Sequence, residues 1–175
     1  MGGQIAIEDS THLDMRSFNK VIDLNINEKK ITVQAGITWR DIQDVIDPHN
    51  LSIQIMQTYS NFTVGGSLSV NCHGRYINAG PLIHSVVQIK IILANGEEIL
   101  SSRNKNSEVF YAAIGGYGGI GVISEVTLQL VENEKIKRRI KSLNPVDYKD
   151  YFMTKIKNDK RAVLHNGDLY PPDYD

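Results

Sequence analysis

The sequence predicts a mixed fold of helices and hairpin-paired strands. Two pairs of apolar segments are each joined by a turn, Asn27-Glu28-Lys29-Lys30 in the first case and the two-residue hairpin signal Asn95-Gly96 in the second. Between them, the residues after Thr38 repeat their apolar positions at helical rather than strand spacing.

Taken in order, Leu13 and Met15 alternate, Asn19-Lys20 turns, and Val21, Leu24 and Ile26 form a first strand that returns through Ile31, Val33 and Ala35. Gly36 ends that strand. Thr38 is the expected N-cap of a helix carrying Trp39, Ile42, Val45 and Ile46 on its apolar face, and Pro48 stops it. A short apolar stretch, Leu51 to Met56, precedes a segment of small and polar residues from Thr63 to Gly74 that follows neither period. Val86 to Ile92 reads as a strand and Glu98 to Leu100 as its return. Glu108 to Ile114 reads as a helix and Gly115 to Gly121 as a glycine-rich loop. Val122 to Val131 reads as a strand with Val122, Ser124, Val126, Leu128 and Leu130 on one face. The charged run Glu132-Asn133-Glu134-Lys135-Ile136-Lys137-Arg138-Arg139 suggests a boundary near Glu134, giving domains over residues 1–134 and 135–175.

Composition narrows the function. With 41% apolar and 22% charged residues the chain can bury a core, and a net charge of -1 offers no field for gathering nucleic acid or anionic lipid. No nucleic-acid partner and no membrane span are expected, since no apolar run approaches the ~20 residues a bilayer requires. The lone Cys72 and an opening without a secretory pattern make cytoplasm the expected location, so the acceptor triplet Asn61-Phe62-Thr63 is read as accidental.

Eight of the fourteen glycines fall in two places: Gly65, Gly66 and Gly74, then Gly115, Gly116, Gly118, Gly119 and Gly121. Without a Cβ, such backbone can approach a ligand closely and aim successive N–H groups at a diphosphate, although tight turns and close strand crossings use glycine equally well. Gly116-x-Gly118-x-x-Gly121 satisfies a dinucleotide fingerprint as a string, but a helix precedes it and a strand follows, the reverse of the Rossmann arrangement. No triphosphate-binding Gly-x-x-x-x-Gly-Lys-Ser/Thr occurs, and His12, His49, His73, His84 and His165 show no metal-ligand spacing, so no metal is expected. His73 alone, between Cys72 and Gly74, lies where a ring would face whatever the small-residue loop surrounds.

These motifs in this order, Thr63-Val64-Gly65-Gly66-Ser67-Leu68-Ser69-Val70-Asn71-Cys72-His73-Gly74-Arg75, the Asn95-Gly96-Glu97 hairpin, Phe110 to Ile114, and Gly115 through Leu128, resemble the PCMH-type FAD-binding domain of the vanillyl-alcohol-oxidase flavoproteins. The similarity covers roughly Met1 to Val131 and is nearest to the branch with the aldonolactone oxidases and decaprenylphosphoryl-ribose oxidase. It implies an α+β fold with FAD lying between two subdomains. It also implies that Thr63, Val64, Gly65, Gly66, Ser69, Asn71, His73 and Gly74, with Gly118, Gly121, Val122 and Ile123, contact the cofactor. The segments around positions 65 and 118 must then fold toward each other.

In such proteins a β-α-β unit with a phosphate-wrapping loop comes first, and Met1-Gly2-Gly3-Gln4 resembles the sequence just after that loop. The expectation is therefore a fragment lacking that unit, with the start of a cap domain at residues 135–175, weak FAD binding and no assignable catalytic residue. The parent activity implied is oxidation of a sugar, lactone or alcohol CH–OH group by hydride transfer to flavin. Two alternatives stand beside it: a non-catalytic remnant or subunit that associates with another chain through an exposed edge, and a flavoprotein resembling the reductase of enolpyruvyl UDP-sugars.

Overall fold

The computed structural model describes residues 8–170. Six strands build one antiparallel sheet: β1 (Val21–Asn25), β2 (Lys30–Gln34), β3 (Leu51–Ile53), β4 (Val86–Leu93), β5 (Glu98–Ser102) and β6 (Gly121–Glu132). Their lateral order is β1-β2-β6-β4-β5, with β3 pairing the far end of β6. Helices α1 (Trp39–Ile46), α2 (Val64–Ser69), α3 (Ser107–Ala113) and α4 (Pro145–Tyr151) interrupt this order. This mixture of helices with an antiparallel sheet is the α+β class expected from the sequence.

Long β6 is the centre of the sheet because its apolar residues can pair on both sides. Val126 stands opposite Val33 of β2 and Ile89 of β4, and Leu128 opposite Ile31 and Val86, all of them among the buried core residues. The opposite face is polar: Thr32 and Thr127 join their hydroxyls at 2.9 Å, and Lys90 lies 2.9 Å from Glu125. The ion pair holds the Lys90 ammonium above its ordinary pKa, through the Glu125 hydrogen bond first.

The uniform alternation expected from Val122 to Leu130 is broken. Lys90 pairs with Glu125 and the next residue, Ile91, pairs with Ile123, so Ser124 is an extra residue on β6 and its hydroxyl donates to the Lys90 carbonyl (3.2 Å). Ile123, not Val122, consequently shares the core face with Ile91, while Val122 is half-buried beside Ile92.

Local chemistry fixes α1. Thr38 and Asp41 cap one another reciprocally, the Thr38 hydroxyl oxygen accepting from the Asp41 N–H (3.2 Å) and the Thr38 N–H donating to the Asp41 carboxylate (3.3 Å). Trp39, Ile42 and Ile46 are buried, whereas Val45, expected on the same face, is exposed. The helical rotation of about 100° per residue carries position i+6 away from the stripe that i, i+3 and i+7 share.

The chain folds as two compact units. One holds the described residues through Gly74 together with Pro81–Asn133, and so the whole sheet. The other holds Arg75–Gly80 and the described residues from Glu134 onward. Within this second unit Tyr76 bridges to Leu164, the His165 N–H donates to the Arg75 carbonyl (2.9 Å), and the rings of Tyr148, Phe152 and His165 cluster, with the Tyr148 hydroxyl 2.8 Å from His165 Nε2. No helix among the described residues is long and apolar enough to cross a membrane.

Candidate functional site

The small-residue segment contains a helix that neither period announces. Thr63 caps α2 with its hydroxyl, which accepts from the Gly66 N–H at 3.2 Å. The two helix serines bond back into the same turn, Ser67 lying 2.8 Å from the Thr63 carbonyl and Ser69 2.8 Å from that of Gly65. Glycine and serine are poor helix formers, so tertiary contacts must supply what propensity does not.

They do so on two sides. Val64 and Gly65 donate their N–H groups to the carbonyls of Ile37 (2.9 Å) and Ala35 (2.7 Å), seating the helix start on the end of β2. Below it, the Trp39 indole N–H lies 2.9 Å from Gln57 Oε1 and 3.0 Å from Ser67 Oγ, and the Ser67 hydroxyl lies 2.7 Å from the same amide oxygen. Trp39 and Ser67 are both buried, and no buried side-chain polar atom among the described residues lacks a partner.

The second glycine segment docks directly on this helix. Gly115 donates its N–H to the Leu68 carbonyl (2.9 Å) and Tyr117 to that of Ser69 (3.0 Å). Two stretches far apart in the sequence thus share a backbone ladder of two hydrogen bonds. A Cβ on Gly115 would lie 3.3 Å from that of Asn71, so the contact continues past the end of α2.

The glycines serve different purposes. A Cβ on Gly65 would stand 3.0 Å from both Ala35 Cβ and the Ala35 carbonyl oxygen, one on Gly116 2.0 Å from the Ala112 carbonyl, and one on Gly121 2.4 Å from that of Ile92. Close packing of the chain on itself requires glycine at 116 and 121 and leaves a Cβ at 65 tightly crowded. Gly66 is exposed and would meet only its own cap hydroxyl, while Gly118, at φ +78°, would meet nothing within 4 Å. Bare backbone at Gly66 and Gly118 is therefore open to an external molecule, as a cofactor cradle requires.

The remaining sequence-predicted residues divide similarly. Val64 is buried, and Ile123 has its side chain in the core, so neither presents a side chain outward. Asn71 sits in the left-handed region (φ 43°) and accepts from the Ile83 N–H (3.1 Å). His73 is exposed, with Nδ1 3.1 Å from the Gly74 carbonyl, and the backbone around it bridges to Pro81. Cys72 is buried between these neighbours, and burial pushes its thiol up to about 11 against the opposing hydrogen bonds of Ser67 and Gln57. Neither Thr63–Gly74 nor Gly115–Gly121 carries a lysine or arginine, and the N–H groups of Val64, Gly65, Gly66, Gly115, Gly116, Tyr117 and Gly119 are already donated within the chain.

This mixture of helices and antiparallel sheet is consistent with an FAD-binding domain of the PCMH type, and comparison with known proteins supplies the family. The family described as FAD binding domain matches residues 1–101. The chain belongs to that family, within the vanillyl-alcohol-oxidase flavoproteins, and FAD is its cofactor. It is 33% identical over 132 residues to L-galactono-1,4-lactone dehydrogenase 2, mitochondrial, of Oryza sativa subsp. japonica, covering 75% of this chain and 23% of the relative. It is 35% identical over 127 residues to L-gulonolactone oxidase of Bos taurus, covering 73% and 29%. A similarity of 28% identity to cytokinin dehydrogenase 2 of Arabidopsis thaliana extends over 170 residues, covering 97% and 33%. The chain thus spans about a quarter to a third of the length of these relatives.

Sequence reasoning missed α2 and the Trp39–Gln57–Ser67 knot; it expected the segments around positions 65 and 118 to fold toward each other, but not the two hydrogen bonds from Gly115 and Tyr117 by which they meet. One signal was available for the first: Thr63 followed by small residues and a serine four positions on is a capped turn whose hydroxyls can be satisfied internally.

Proposed function

We propose that Thr63–Gly74 and Gly115–Ile123 together hold FAD, and that the protein of which they are part oxidises the CH–OH carbon of a sugar lactone or a related sugar alcohol. The observation that carries the first half is the pair of backbone hydrogen bonds from Gly115 and Tyr117 to Leu68 and Ser69, which leaves Gly66 and Gly118 open beside the joined segments. The lactone dehydrogenase and lactone oxidase named above support the second half.

When bound, FAD supplies a ring able to accept a hydride equivalent from the substrate carbon. The chain's own part is binding and orientation. Open backbone at Gly66 and Gly118 lets the dinucleotide approach more closely than any side chain would permit, and Ser69 and Asn71 lie against the docked Gly115–Tyr117 stretch. Residues from Glu134 onward begin the substrate-facing domain in this reading.

Gly66→Ala tests the site directly. The added methyl meets only the Thr63 hydroxyl, at 3.0 Å, and alanine favours a helix by about 1 kcal/mol over glycine, so the ligand-free chain should be no less stable. Titration followed by flavin fluorescence should give saturable FAD binding in the unaltered chain and affinity at least about tenfold weaker in the variant. Equal affinity in the two would remove Gly66 from the site, and an absence of saturable binding in the unaltered chain would defeat the reading as a whole.

A further inference from the structure

Arg103 lies in the turn between β5 and α3, outside both glycine segments, yet its side chain touches the supports of each. One guanidinium nitrogen, Nη1, donates to the Val86 carbonyl (2.6 Å) and the other, Nη2, to the Ile83 carbonyl (2.5 Å). The guanidinium carbon stands 5.4 Å from the centre of the Phe110 ring, which is fully buried in α3.

Each contact leads onward. Ile83, whose carbonyl Arg103 holds, gives its own N–H to the Asn71 side chain, and neighbouring Leu82 gives its N–H to the Cys72 carbonyl (2.7 Å). The short helical turn Leu82–Ser85 is therefore clamped to the segment after α2 on one side and to Arg103 on the other. Phe110 in turn accepts the Ile114 N–H at its carbonyl (3.3 Å), immediately before Gly115 donates to Leu68. Arg103 is thus a crosspiece between the strut that fixes Asn71 and the helix that delivers Gly115.

We infer that Arg103 is a positioning residue that sets the two glycine-bearing segments against each other, and through that spacing sets the affinity for FAD. The last step rests on the site proposed above. Only a planar fork can reach both carbonyls while lying over the ring; a lysine ammonium keeps the charge but not the two divergent donors.

The test uses the 175-residue chain and its Arg103→Met and Arg103→Lys variants, with two readouts. Hydrogen exchange without FAD should show the Ile83, Gly115 and Tyr117 amides exchanging at least about tenfold faster in Arg103→Met, while amides of the β2–β6 ladder keep their rates. FAD titration should show affinity lower by about tenfold in Arg103→Met, with Arg103→Lys in between. Unchanged exchange at those three amides overturns the inference, and so does equal acceleration across the ladder, which would make Arg103 a general stabiliser. Faster local exchange with unaltered FAD affinity overturns the link to the cofactor. Should the chain show the exchange signature but bind no FAD in any form, the site reading fails while the hold of Arg103 on the loops stands.

Discussion

Tyr117 carries the side chain least expected where it stands. It adopts φ +53° between two glycines, in the left-handed region that costs a non-glycine residue on the order of 1 kcal/mol, and the residue is 60% exposed. Its backbone alone does the structural work, through the N–H donated to Ser69. Tyr117→Gly keeps that bond and removes the strain, so it should raise the stability of the ligand-free chain by about 1 kcal/mol, read as a higher urea midpoint at unchanged slope. A lower midpoint would mean that the ring packs in solution. Asn71, at φ 43°, differs in kind: its side chain accepts from Ile83, so the same change there would give up a hydrogen bond as it relieved the backbone.

At the scale of elements, what was legible in the sequence was what local chemistry decides. Helix α1 could be read from Thr38, its apolar spacing and Pro48 because cap, face and stop all lie close together along the chain. The Asn95-Gly96 hairpin could be read for the same reason, with Gly96 at φ +84° and the Asn95 side chain accepting from the Glu97 N–H (3.0 Å). Helix α2 could not, because its stability comes from Ala35, Ile37, Trp39 and Gln57, none of which its own sequence reveals. The Ser124 bulge was hidden likewise, since a strand with an extra residue still looks alternating over most of its length. For the glycines the sequence told where bare backbone was needed but not against what. Gly121 begins β6 against β4, and an added methyl would sit 2.4 Å from the Ile92 carbonyl oxygen. Gly121→Ala must therefore push the two central strands apart and should cost about 2–3 kcal/mol of stability, measured by denaturant unfolding. That loss should appear whether or not FAD is present, and an alanine variant with an unaltered midpoint would show that the strands separate there freely.

For the whole molecule, the connection between the two compact units governs how it comes apart. Residues 133–144 form neither strand nor helix, and Lys135, Lys137, Arg138, Arg139 and Lys141 are all exposed there. The sheet unit ends on β6, which is hydrogen-bonded to three other strands, so its own opening requires breaking the centre of the fold. Limited trypsin digestion should therefore cut first between residues 135 and 141, and mass spectrometry of the largest early product should find β6 intact. A second, slower cut is expected after Arg75. Its carbonyl accepts the His165 N–H, and the Ile77 N–H donates to the Val163 carbonyl at 3.0 Å, contacts that vanish once the chain beyond residue 141 is released. The order of the two cuts is the decisive measurement: cleavage at Arg75 preceding any cut at 135–141 would mean that the excursion Arg75–Gly80 is not held by the second unit. First cuts in the β5–α3 turn, at Arg103 or Lys105, would instead place the weakest point of the molecule beside the crosspiece joining the two glycine segments.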